Sequence, residues 1–117
     1  MGYDIYLSCP HCQTVCKMEE SFEAGGTYDC HLSVTYNYAA LYADVFPPYE
    51  DTGKGSIRWL YGKTGAATLE ALKMAVEALG TEEAEDYWNP TPGNAGSMLA
   101  RLLTFAEAHP EAEWSGD

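Results

Sequence analysis

The chain has 117 residues, of which 46% are hydrophobic and 13% aromatic, so it can bury one modest core and its composition excludes a disordered protein. Its 18 acidic and 6 basic side chains give a formal net charge of −12, and a field of that sign repels nucleic acids and anionic membranes. Since no apolar run is long enough to cross a bilayer and no secretory signal opens the sequence, we expect a single cytoplasmic domain over residues 1–117. We expect it to bind neither nucleic acid nor membrane.

The first 38 residues have the pattern of a small antiparallel sheet. Residues 3–7 alternate apolar and polar side chains, which is the two-residue period of a half-buried strand. Pro10 then favours a turn, and residues 13–18 can return as the second strand of a hairpin. After Gly25 and Gly26, residues 27–38 form another β-rich run, with one apolar face made of Leu32, Val34, Tyr36 and Tyr38.

Residues 39–117 are predicted to be mainly helical. A short helix over residues 39–46 ends at Pro47 and Pro48, whereas residues 57–61 are too short for periodicity to separate a strand from a helical turn. Strands first and helices afterwards predict an α+β fold rather than an alternating parallel sheet. We therefore expect a small N-terminal antiparallel sheet, including a hairpin with a Cys-Pro-His-Cys turn, packed against two main amphipathic helices.

The two main helices have clear start and stop signals. Residues 68–79 carry an apolar stripe that ends at Gly80, a frequent helix terminator. Thr91 is a suitable cap and Pro92 a suitable first residue for the second helix, which Pro110 ends. The apolar stripes are Leu69, Leu72, Val76 and Leu79 in the first helix, and Met98, Leu99, Leu102, Phe105 and Ala106 in the second.

All four cysteines lie within the first 30 residues. Cys9 and Cys12 form a CxxC pair, which is typical of a structural zinc knuckle, and Cys16 and Cys30 are further thiolate candidates with His31 as an alternative ligand to them. We therefore predict one structural zinc ion. The Cys-Pro-His-Cys letters also occur in thiol oxidases of the thioredoxin fold, where the motif opens a helix, so catalytic redox chemistry is an alternative. A third alternative is that the cysteines are buried or surface thiols with no metal-binding or redox role.

A basic segment interrupts the acidic sequence. Residues 52–69 contain no acid, yet Lys54, Arg58 and Lys63 supply half of the basic residues. Aromatic side chains next to amides, in Tyr36-Asn37-Tyr38 and before the last helix, are suited to stack on a planar ring and hydrogen-bond its edge. The alternative is that these groups are core aromatics, helix caps and a solvated turn. The candidate ligand-binding residues are Tyr36, Asn37, Tyr38, Arg58, Trp59, Lys63, Trp88 and Asn94.

Several short motifs resemble a family of small uncharacterised bacteriophage and prophage proteins. They are the Thr-Tyr-Asn-Tyr segment at residues 35–38, Ile-Arg-Trp-Leu-Tyr-Gly-Lys-Thr-Gly at 57–65, Asp-Tyr-Trp at 86–88 and Thr-Pro-Gly-Asn-Ala at 91–95. The resemblance implies the cytoplasm of a bacterial host. Relatives commonly have a polar turn where residues 9–12 stand here, which implies that the cysteines have no role common to the family.

Three functions are consistent with these patterns. The first is a non-enzymatic accessory protein of phage type that binds a small anionic, nucleotide-like ligand, for example to sequester a host signal. The second is an acidic interaction module that inhibits a basic host protein. The third is a thiol redox protein that uses the Cys9 and Cys12 pair. We expect no enzyme active site, since the sequence contains no HExxH or GxSxG motif and no convincing base beside a serine or cysteine nucleophile.

Overall fold

In the part of the chain that the structure describes, three strands and three α-helices make an α+β fold, as the sequence predicts. The computed structural model describes residues 2–11, 14–16, 30–48 and 55–116. In these ranges the elements follow one another as β1 (Gly2–Ser8), β2 (His31–Thr35), a 3-10 helix (Tyr36–Tyr38), α1 (Ala39–Val45), a second 3-10 helix (Ile57–Leu60), α2 (Gly65–Leu79), α3 (Pro92–Ala108) and β3 (Glu113–Gly116).

The sheet has the order β2-β1-β3 and both pairings are antiparallel. Ile5 is opposite Leu32, and Leu7 is opposite Trp114. Because side chains alternate between the faces of a strand, one face of the sheet is apolar and covered by the helices. Its buried members are Tyr3, Ile5, Leu7, Leu32, Val34 and Trp114. The strand predicted over residues 3–7 is therefore confirmed.

A tight turn follows β1. Ser8 forms an antiparallel bridge with Val15, and the amide of Cys9 donates to the carbonyl of Thr14 at 2.9 Å. The amide of Cys16 then donates to the carbonyl of Leu7 at 2.9 Å. The predicted hairpin is thus confirmed where its returning strand is described, over residues 14–16, while residues 12–13 and 17–18 lie outside the described residues.

The β-rich run predicted over residues 27–38 ends three residues early. Residues 27–29 lie outside the described residues, and β2 stops at Thr35, whose hydroxyl accepts the amide of Asn37 at 3.2 Å. This cap starts a 3-10 helix, so Tyr36 and Tyr38 leave the strand. Tyr36 is half-buried, whereas Tyr38 is fully buried.

The predicted helices are present. α1 and α3 agree with their sequence signals, and all five residues of the predicted inward face of α3 are buried. α2 begins three residues earlier than predicted, because Thr64 caps it by accepting the amide of Ala67 at 3.1 Å. The undecided stretch at residues 57–61 is a 3-10 helix over Ile57–Leu60, with Ser56 as its cap.

β3 is the element that the sequence analysis missed. Trp114 lies in the core, and its indole N–H donates to the buried hydroxyl of Thr68 at 2.8 Å. The carbonyl of Trp114 accepts the amide of Gly62, and the amide of Trp114 donates to the carbonyl of Lys63. The C-terminal strand therefore ties β1 to the turn before α2. Among the helices that the structure describes, none is long and apolar enough to cross a membrane.

Candidate functional site

The strongest candidate site is a cleft of about 450 Å³ beside the outer edge of β2, which we call the edge cleft. β2 supplies one wall, and the segment between α2 and α3, together with α3 itself, supplies the other. Its polar and aromatic lining consists of Asp4, Ser33, Glu83, Tyr87, Trp88 and Arg101.

Asn94 holds the segment between α2 and α3, which together with α3 forms what we call the outer wall of the edge cleft. This side chain is buried near the start of α3, where its amide nitrogen donates to the carbonyls of Asp86 at 3.0 Å and Asn89 at 2.9 Å. Its amide oxygen accepts the amide of Ala84 at 2.8 Å. One side chain thus holds three points of an otherwise irregular segment, which sets the positions of the side chains that this segment presents.

Tyr87 joins that segment to the sheet. Its hydroxyl accepts the amide of Thr35 at 3.2 Å and donates to the carbonyl of Ser33 at 3.3 Å, two groups on the outer edge of β2. The hydroxyl of Tyr38 donates to the carbonyl of Tyr87 from inside the core. Burial raises the pKa of Tyr38 to about 12, so this hydroxyl keeps its proton and remains a donor at neutral pH.

Asp4, on β1, adds an ionised carboxylate to the lining of the edge cleft. The hydroxyl of Ser33 donates to Asp4 Oδ1 at 2.7 Å, and this bond is the main reason why the pKa of Asp4 lies below its usual value. His31 Nε2 lies 3.5 Å from the same oxygen and lowers that pKa further. The imidazole is also stacked on Tyr6, with ring centroids 4.4 Å apart. Asp4 is therefore negatively charged at neutral pH.

The outer wall, formed by α3 and the segment before it, adds a second carboxylate, Glu83, and an exposed indole, Trp88. Glu83 accepts the hydroxyl of Ser97 at 2.5 Å and lies 3.8 Å from the guanidinium of Arg101. Trp88 is 58% exposed, and its ring contacts Tyr87 edge to face. Two carboxylates against one guanidinium leave the lining acidic, and an indole face attracts cations. The arrangement is therefore suited to a cationic group rather than an anion.

The predicted anion-binding residues lie elsewhere, in two aromatic contacts. The guanidinium of Arg58 lies over the rings of Tyr3 and Tyr36, 5.0 and 5.7 Å from their centroids, and donates to the Tyr36 hydroxyl at 3.4 Å. Lys63 Nζ lies 4.3 Å from the ring centroid of Trp59 and donates to the carbonyl of that residue at 2.6 Å. Both cations are half-buried, so aromatic faces already satisfy part of their charge.

The other four predicted ligand-binding residues cluster around the outer wall of the edge cleft. Asn37 donates to the carbonyl of Trp88 at 2.9 Å, and Trp88 lines the cleft itself. Tyr38 and Asn94 hold the backbone of the same segment from the inside. The predicted aromatic and amide clusters thus lie at this wall, and Tyr87 belongs to the cluster before the last helix, whereas Asp4, Glu83 and Arg101 were not among the predicted residues. The acidic run at residues 82–86 was the available signal, and it is also typical of a solvated surface.

The described members of the predicted zinc set lie in different surroundings. Cys30 is buried in the core, Cys9 and Cys16 are half-buried, and Cys12 lies outside the described residues. The alternative ligand His31 is engaged with Tyr6 and Asp4. Among the described residues, no group of three or more histidine, cysteine or acidic side chains is arranged to hold a metal ion. Zinc binding by the cysteines therefore stays a prediction.

The comparisons with known proteins identify no relative. No protein-family model matches the chain, and neither a search of curated proteins nor a search of solved structures found a significant match. The resemblance to phage proteins accordingly stays a prediction from the sequence motifs.

Proposed function

We propose that this protein is a non-enzymatic, acidic interaction module whose edge cleft binds a lysine or arginine side chain from a basic segment of a partner protein. The observation that carries the proposal is the exposed indole of Trp88 in one cleft with the carboxylates of Asp4 and Glu83. An aromatic face and two carboxylates are the groups that bind an organic cation. The net charge of −12 would attract such a partner from a distance. Through the resemblance to phage proteins, we take a host protein as its source.

Binding of defined peptides tests this proposal. We expect a lysine-rich peptide to bind and a glutamate-rich peptide of equal length not to bind, as measured by calorimetry at low salt. Trp88→Ala should weaken binding by about fivefold or more, since a cation on an indole face contributes about 1 kcal/mol or more. Glu83→Gln should weaken it as well, and added salt should reduce the remaining affinity.

The matched control for this experiment is Glu77→Gln. It removes the same charge from an exposed position on α2, away from the lining of the edge cleft. If Glu77→Gln and Glu83→Gln weakened binding equally, and Trp88→Ala left it unchanged, the peptide would be held by general charge attraction and the edge cleft would not be its site.

A second candidate function rests on Arg58 and Lys63. We propose that these two cations, each held against aromatic rings, bind the phosphate of a small nucleotide-like ligand, which the protein would sequester. Their fixed positions in a segment without acids support this alternative. Against it, none of the four described cavities is lined by either residue.

Thermal-shift measurements with nucleoside monophosphates and triphosphates distinguish the two candidates. If the anion site exists, a nucleotide should raise the melting temperature of the wild type and of Lys73→Ala, which removes an exposed charge from α2. Arg58→Ala should abolish the shift. No shift for any nucleotide with the wild type would eliminate this candidate and leave the interaction module.

A further inference from the structure

The indole of Trp88 is held at the edge cleft in an exposed position. Among the described residues, the large hydrophobic side chains that are exposed are Trp88 and Met74, at 58% and 62%. Met74 lies on α2 and does not line the edge cleft, whereas Trp88 does. The amide of Trp88 donates to Asp86 Oδ1 at 3.0 Å, and its carbonyl accepts the side-chain amide of Asn37 at 2.9 Å. Two bonds to its backbone thus fix a residue whose ring is left open to a ligand.

Tyr87 gives the edge cleft a second aromatic ring beside Trp88. The two ring centroids are 5.1 Å apart, and the ring planes meet at 79°. The phenol is held in place because its hydroxyl is bonded to the amide of Thr35 and the carbonyl of Ser33. Two rings at nearly a right angle can contact one compact group from two sides, which is how aromatic cages bind methylated ammonium groups.

The carboxylates of the edge cleft already accept hydrogen bonds from the chain. Asp4 Oδ1 accepts the hydroxyl of Ser33 at 2.7 Å, and Glu83 Oε2 accepts the hydroxyl of Ser97 at 2.5 Å. These bonds leave both negative charges in place, but they occupy acceptor positions that a ligand's N–H groups would need. The lining therefore favours a cation that is attracted by charge and needs few hydrogen bonds.

A primary and a trimethylated ammonium group differ in that need. The primary group carries three N–H donors, and each of them loses a bond to water that the protein has to replace. The trimethylated group carries the same charge and no donor, and its methyl groups gain from contact with apolar surface. Buried apolar side chains also line the edge cleft, namely Leu32, Val34 and Met98. The lining thus fits the methylated group better.

We propose that the edge cleft is selective for a methylated lysine side chain in the basic segment of its partner. The rings of Trp88 and Tyr87 contact the methyl groups, and Asp4 and Glu83 supply the opposite charge. This inference rests on the function proposed above and names the class of cation that the same site takes. Trp88 is its specificity-determining residue.

Calorimetry with three peptides of one basic sequence tests the selectivity. The peptides differ at one position, which carries lysine, trimethyl-lysine or the neutral analogue of trimethyl-lysine with carbon in place of the ammonium nitrogen. The trimethyl-lysine peptide should bind at least about tenfold more tightly than the lysine peptide, because a desolvated cation gains most from an indole face. The neutral analogue has the same shape without the charge, so it should bind more weakly than the trimethyl-lysine peptide.

Two variants locate the selectivity in the edge cleft. Trp88→Leu removes the indole face and should bring the affinities for the lysine and trimethyl-lysine peptides to within about twofold of each other. Met74→Leu is the matched control, since it changes the other exposed apolar side chain at a position outside the cleft, and it should leave the selectivity unchanged. Far-ultraviolet circular dichroism checks that both variants are folded.

The outcomes separate this inference from the proposed function. Equal binding of the lysine and trimethyl-lysine peptides by the wild type would overturn the selectivity and leave the interaction module standing. Equal binding of the neutral analogue would show that shape rather than charge is recognised, and would overturn it too. If no peptide bound, both proposals would be wrong. Choline, a small quaternary amine, should bind more weakly than the trimethyl-lysine peptide, and binding of equal strength would overturn the assignment to a protein side chain.

Discussion

Tyr87 bonds to the outer edge of the sheet through its hydroxyl group. β2 is an edge strand, and such edges present unpaired amides and carbonyls that invite pairing with other chains. The Tyr87 hydroxyl bonds one amide and one carbonyl of that edge. At the scale of residues, the Tyr87 side chain therefore occupies two backbone groups of β2 that could otherwise pair with another chain, and it also lines the edge cleft.

Asn94 is the residue whose loss should most disturb that segment. We expect Asn94→Ala to lower the free energy of unfolding by about 2 kcal/mol, because it removes three hydrogen bonds of a buried side chain: two to the carbonyls of Asp86 and Asn89, and one from the amide of Ala84. Urea denaturation measures the change. Asn37→Ala is the control, since Asn37 is exposed and donates one bond, and it should cost less than about 0.5 kcal/mol. Equal effects of the two variants would contradict the role assigned to Asn94.

The titration of Asp4 should depend on Ser33. The pKa of Asp4 is lowered in the folded protein, so the unfolded chain binds more protons near the ordinary pKa of 3.8. The stabilisation that the ionised Asp4 carboxylate gives to the folded state is therefore fully present above that pH. It is lost as the pH falls through the lower pKa that Asp4 has in the folded state. Ser33→Ala should raise the pKa of Asp4, as measured by NMR titration of its carboxyl carbon. An unchanged midpoint would show that the hydroxyl bond is not the cause.

At the scale of elements, the helices were predictable and one strand was not. α3 has a cap, a first-turn proline and an apolar stripe, and each of these signals is local in the sequence. β3 has four residues and one buried side chain, so it has no alternation that a pattern search could find. Its place is set by pairing with β1 and by the bond between Trp114 and Thr68, which are contacts across the fold.

α2 and α3 pack closely because α3 has a glycine at the contact. A methyl group on Gly96 would overlap the carbonyl oxygen of Gly80, at the end of α2. Gly96→Ala should therefore destabilise the protein by about 1–3 kcal/mol, although alanine favours helices more than glycine does. Thr104→Ala, at an exposed position of the same helix, should be nearly neutral. A stabilised Gly96→Ala variant in thermal denaturation would show that the helices do not depend on this contact.

At the scale of the whole molecule, the net charge of −12 opposes folding. Like charges are closer together in the compact state, so screening them should stabilise it. We expect the melting temperature at pH 7 to rise by about 2–5 °C between roughly 10 mM and 150 mM sodium chloride. The increase should shrink as the pH approaches the isoelectric point of about 4.4. A melting temperature that falls with salt at pH 7 would mean that attractive pairs outweigh the repulsion.

Local signals along the chain were enough to predict the fold class, the hairpin after β1, the three helices and the aromatic and amide clusters. Periodicity, caps and turn residues act between near neighbours, so they can be recognised without the tertiary structure. Other contacts could be seen only in the folded chain. Arg58 and Lys63 lie against aromatic rings, and Asp4 lines the edge cleft together with Glu83 and Trp88. Cys9 and His109 line a second cleft. These contacts join residues far apart in sequence, and they depend on how the sheet register and the packing of α2 against α3 bring distant segments together.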